Sequence, residues 1–108
     1  MRTVNYREAG LIEYPVETRN ALGETIQTWA TFAPVRAAVE ELTYREAERR
    51  QQIGGTLTHT VQIRYVPGVT GKMRFRWTSR GDRLLYISSV IERGFRDGLE
   101  LECEEQAT

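Results

Sequence analysis

The chain holds a single cysteine, Cys103, a single histidine, His59, and a single lysine, Lys72. One cysteine excludes an intrachain disulfide. Cys103 falls in the alternating run LELECEE, in phase with Leu99 and Leu101, and reads as a small hydrophobe. A Cys–His pair would have to join two different strands, and no cluster has metal-ligand spacing. Neither GxxxxGKS/T nor GxGxxG occurs, so a phosphate-cradling loop is unsupported. Adjacent acids such as Glu40-Glu41 and Glu104-Glu105 face opposite sides of a strand and make poor acid–base partners. These absences argue against an enzyme, a metal protein or a cofactor protein. Long apolar runs are also missing. Nothing approaches the roughly 20 residues that span a bilayer, and MRTVNYREAG lacks the apolar core of a signal peptide. An intracellular protein without a membrane partner is expected. No repeat or linker divides the chain, so residues 1–108 read as one domain with one modest core.

What is present is alternation. GLIEYPV puts Ile12, Tyr14 and Val16 on one face of a first strand, and Pro15 suggests an edge position. ETRNALGET is a polar hairpin loop, and ETIQTWATF is a β-branched and aromatic second strand. VRAAVEEL follows as a further strand, with a bulge or bend expected at Pro34. Val61, Ile63 and Tyr65 face one way in VQIRY, as do Met73, Phe75 and Trp77 in KMRFRW, with PGVTG between them. RLLYISSVIE is apolar on both faces, the mark of a doubly covered strand. Asp97-Gly98 signals a hairpin into a last strand with Leu99, Leu101 and Cys103 inward and Glu100, Glu102 and Glu104 outward. The expected fold is all-β: a small antiparallel β-barrel or sandwich of about six to seven strands with one short inserted helix.

That helix is LTYREAERRQQIGG. Thr43 and Glu46 form a capping-box pattern, strong helix formers run from Tyr44 to Gln52, and Gly54-Gly55 supply the stop. Glu46 and Arg50 attract at i, i+4, whereas Arg45 and Arg49 repel. With so little apolar content the helix is marginal alone and is expected to order against a partner.

Charge is unevenly spread. Residues 43–96 carry eleven Arg or Lys against four Glu or Asp, residues 97–108 carry five acids and no base, and residues 1–42 carry six acids against four bases. The formal net charge is nevertheless zero. The Arg excess over Lys fits a GC-rich coding sequence and equally suits bidentate contacts with carboxylate or phosphate. Arg64, Lys72, Arg74 and Arg76 read as a positive stripe along neighbouring strands. Such a stripe is either a solvated sheet face or a track for a nucleic-acid backbone. A third use is head-to-tail self-assembly, the basic strands of one copy meeting the acidic strand with Glu100, Glu102 and Glu104 of the next.

From Gly10 to Glu105 the order of motifs resembles the phage head–tail joining family, the head-tail adaptor, head-closure or stopper proteins. The features are GET leading to IQTWATF, then VRAAVEEL, the helix YREAERRQ, the strand ending in Ile63-Arg64-Tyr65, LYISSV and LELECEE. TW and IRY are the most specific of them. The resemblance implies a small barrel and a virion protein assembled in the bacterial cytoplasm. It implies a homo-oligomeric ring, dodecameric in that family, between the portal or adaptor and the tail terminator or other tail proteins. The ring would close the DNA-filled head, surround packaged double-stranded DNA without reading its sequence, and dock the tail. Channel linings in such connectors are often acidic. Arg74 and Arg76 are therefore expected to contact a subunit or partner, and reversing both charges is expected to stop assembly with the fold intact. The helix residues Tyr44, Arg45, Glu46, Arg49 and Arg50 become candidates for a plug or gate ordered on assembly. The rival readings are a small-barrel nucleic-acid-binding module and another ring component such as a tail terminator.

Overall fold

Apolar residues at every second position need one common interior, and six antiparallel strands supply it. They are β1 (Glu8–Arg19), β2 (Thr25–Glu41), β3 (His59–Arg64), β4 (Arg74–Trp77), β5 (Arg83–Arg93) and β6 (Gly98–Glu105), with a short 3-10 turn at Thr78–Arg80. The computed structural model describes residues 5–43 and 57–105. The helix expected from Tyr44 to Gln52, with Arg45, Glu46, Arg49 and Arg50, lies outside the described residues.

The strands run β1-β2-β3-β6-β5-β4 around a closed barrel, and β4 pairs back onto β1. Closure removes the exposed sheet edges that a small open sheet would have to protect. Ile12, Val61, Ile63, Phe75, Leu85, Leu101 and Cys103 fill the interior and are almost completely buried. Gly10 is required here, because a Cβ at that position would sit 2.2 Å from the Phe75 ring. Cys103 is the small buried hydrophobe expected, and burial pushes its thiol up to about 12.

Two expectations about strands are corrected. VRAAVEEL is not a separate strand, because β2 continues through Pro34 for 17 residues. The irregularity lies two residues earlier: Ile12 pairs with Ala33 and Glu13 with Thr31, which leaves Phe32 as the extra residue of a β-bulge. The Asp97-Gly98 hairpin exists, but its loop is the four residues 94–97 between the Arg93–Gly98 pair. Gly94 and Arg96 take the left-handed conformations of that loop, at φ 62° and 60°.

The β1–β2 hairpin extends past the barrel. β4 pairs with β1 only from Leu11 to Glu13, whereas β1 and β2 stay paired out to Arg19 and Thr25. Residues 14–19 and 25–30 therefore form a two-stranded ribbon whose outer edges pair with no other described strand, the edge position that Pro15 suggested. The described molecule is correspondingly long, 54 × 28 × 27 Å. The ribbon exposes Leu22, Ile26 and Tyr14.

Candidate functional site

The expected positive stripe does not exist as one surface. β3 and β4 are not neighbours; they stand three positions apart in a ring of six, on opposite walls. The turn-like PGVTG therefore carries the chain across the barrel instead of folding β4 back onto β3. Arg64 is separated from Arg74 and Arg76, and Lys72 lies in the connection ahead of β4.

On the β4 wall the arginines are built into the fold. Glu13, buried at 4% exposure, accepts from Arg74 Nε at 2.8 Å and from Arg76 Nη1 at 3.5 Å. Arg74 lies over the Trp29 ring at 4.1 Å and donates from Nη1 to the Tyr86 hydroxyl at 3.1 Å. Trp29 and Tyr86 also meet edge to face. One guanidinium thus joins the base of the ribbon to β1, β4 and β5. Arg76 bonds outward to Asp82 at 3.2 Å, and that hydrogen bond with its charge raises the already high Arg76 pKa. Reversing both charges would set carboxylates against Glu13, so the expectation of an intact fold is withdrawn. Further pairs follow on this side: Arg80 with Glu8 at 3.5 Å, and Arg83 with Glu105 through two bonds of 2.6 Å. The hydrogen bond from Trp77 holds the Glu8 carboxyl below the usual range, and Arg83 does the same for Glu105.

The acidic strand is likewise partnered at two of its three positions. Glu100 is not the solvated residue expected; it is 7% exposed and accepts from Arg93 Nη2 at 2.8 Å. Glu102 accepts from Ser89 Oγ at 2.6 Å. Glu104 is half-buried and makes no ion pair among the described residues.

On the other wall two arginines have no carboxylate partner among the described residues. Arg36 on β2 and Arg64 on β3 each stand one step beyond the Ala37–Ile63 pair. Both are exposed, and neither makes an ion pair with a described residue. Together with Tyr6, Pro34, Val35 and Val66 they line an open cleft of about 370 Å³. Arg36 Nη2 donates to the Arg7 carbonyl at 3.3 Å, and Arg64 lies over the Tyr6 ring at 5.2 Å. Nothing local in the sequence announced Arg36, because its place on the same cleft as Arg64 is set by how β2 and β3 pair.

His59 is buried, edge-on to Trp77, with Nδ1 2.8 Å from the Thr58 hydroxyl. Burial lowers its pKa, against the opposing pull of Glu105, so it packs as a neutral ring near neutral pH. Among the described residues no group of three or more His, Cys, Asp or Glu is placed to hold a metal ion.

The described residues form a closed six-stranded barrel with a projecting two-stranded ribbon. The description "phage head completion protein" matches residues 1–106, and the chain belongs to that family. It is therefore a structural protein of the phage head, located in the virion. Solved structures share the fold. A protein from Shigella flexneri 2a, SF1141, is 24% identical with a TM-score of 0.80, over 99% of this chain and 98% of that one. A chain of a native gene transfer agent virion is 20% identical with a TM-score of 0.66, over 98% and 100%. No match was found among curated protein sequences.

Proposed function

We propose that this protein is a head–tail connector. It forms a ring between the portal or its adaptor and the tail, closes the DNA-filled head and presents the tail docking surface. The observation that carries the reading is the β1–β2 ribbon. The barrel has no open edge, yet neither edge of the hairpin of residues 14–30 is paired by another described strand, and the hairpin exposes Leu22, Ile26 and Tyr14. An isolated two-stranded hairpin is at best marginally stable in water, and an apolar arm of this kind is held by whatever it packs against. In a ring the arm grips a neighbouring subunit or the component above or below. Arg64 and Lys72 are the members of the expected basic set without in-chain ion pairs among the described residues, and Glu104 is the corresponding acid. These are the charges available for subunit or partner contacts.

Deletion of the gene in the producing strain, followed by electron microscopy of the particles, tests the role. Separate tails beside heads that leak or lack DNA are expected. Intact, tailed, DNA-filled particles would overturn it. The nucleic-acid reading would then be tested by whether the isolated protein binds DNA with an affinity that falls as salt rises.

A further inference from the structure

We infer that the cleft between Arg36 and Arg64 is a recognition site for carboxylate side chains, and that its occupant is a short acidic segment of a partner protein. The inference goes beyond the connector role and stands on the cleft's own geometry.

Like charges close together on neighbouring strands repel. Here two arginines at the end of the β2–β3 ladder line one cleft, and neither has an ion pair with a described residue. On the opposite wall and nearby, Arg74, Arg76, Arg80, Arg83 and Arg93 each have a carboxylate within the chain. An oxyanion seated between Arg36 and Arg64 would relieve their repulsion and could accept from both planar forks. The forks are already oriented, Arg36 by the Arg7 carbonyl and Arg64 by the Tyr6 ring. That lowers the ordering entropy lost on binding.

The surroundings choose a peptide over a nucleic acid. Pro34, Val35 and Val66 give the cleft an apolar wall, which suits an aliphatic side chain next to a carboxylate. Tyr6, the one aromatic lining the cleft, already stacks with Arg64 and is not free for a base. Glu40 is exposed on the same face of β2, four residues from Arg36, or about 13 Å at ~3.3 Å per residue. Glu40 would repel a phosphate backbone running on along the strands, whereas a short acidic segment can end before it.

The test is a backbone-amide NMR titration of the full chain with an end-blocked peptide, Glu-Leu-Glu-Glu-Leu-Glu. The controls are its all-Gln counterpart, inorganic phosphate and a short DNA duplex. Shifts are expected at Tyr6, Val35, Arg36, Arg64 and Val66 with the acidic peptide and not with the Gln peptide. Binding should weaken roughly tenfold or more in R36Q/R64Q, the loss expected for charge-assisted hydrogen bonds. Both residues are exposed, so the variant keeps its fold, and its own amide spectrum shows that it does. No shift at these residues with the acidic peptide overturns the inference. So does tighter binding of the duplex at the same residues, which would assign the cleft to nucleic acid. General broadening that tracks protein concentration and ignores the peptide would assign the face to a second copy of the chain, and overturns it too. A negative result leaves the gene-deletion phenotype, and with it the connector reading, unaffected.

Discussion

Arg74 and Arg36 both project from strands of the same barrel, yet they belong to different economies of charge. Arg74 is 12% exposed at its side chain, bonded to buried Glu13 and packed on Trp29. Arg36 is exposed, tethered among the described residues through a backbone carbonyl, and shares a cleft with another arginine. The first arrangement is one the fold cannot lose, because removing the cation strands an anion in a dry site. The second can be neutralised without disturbing packing. A basic surface is thus informative about partners only after its in-chain ion pairs have been subtracted.

The comparison is broken most forcefully at Arg74. Arg74→Glu places two carboxylates together in the barrel wall, and a loss of about 4 kcal/mol is expected. Urea unfolding followed by circular dichroism measures it, and an unchanged midpoint would remove Arg74 from the structural set. Trp29→Ala takes away the ring beneath that guanidinium, with a loss of roughly 1–2 kcal/mol. Hydrogen exchange should quicken through residues 14–30 while β3 and β6 keep their protection. Uniform loss of protection would mean that the ribbon and barrel unfold as one.

Acidification probes the barrel interior through His59, whose ring meets Trp77 edge to face. Its folded pKa lies below the usual value because burial disfavours the imidazolium. The unfolded chain, near 6.5, takes up the proton first as pH falls. This contribution is therefore complete above about pH 6.5 and is lost as pH drops below it. Thermal unfolding at pH 7.5 and 5.5 should show a lower midpoint in acid, and His59→Gln should flatten that dependence. The lowered carboxyls of Glu8 and Glu105 act only at lower pH, where their unfolded counterparts protonate. The smallest effect is expected at Arg36→Gln, within about 0.5 kcal/mol of wild type and on the stabilising side if cross-strand repulsion dominates.

Much of the barrel is legible in the sequence because inward phase is a local property. Val61 and Ile63, Phe75 and Trp77, and Leu99, Leu101 and Cys103 all face the core as alternation requires. Pairing is not local. PGVTG looks like a hairpin turn, but nothing between Tyr65 and Met73 says that β3 and β4 occupy opposite walls. Glu13 and Arg74 meet across 61 residues, so counting charges by segment could not reveal that the β4 arginines are neutralised. Glu100 fell to the same difficulty, being in the outward phase yet covered by Arg93. The TW motif marked a position that matters, and the structure supplies the reason in the contact of Trp29 with Arg74. Arg36 carried no signal, since its meaning comes from the β2–β3 register alone.

The division of the arginines is tested most directly by returning two double variants to a strain lacking the gene. R74Q/R76Q should lower the urea midpoint of the purified protein, whereas R36Q/R64Q should match wild type in stability and fail to restore tailed, DNA-filled particles. Full particle yield from R36Q/R64Q, or an unchanged midpoint for R74Q/R76Q, would contradict it.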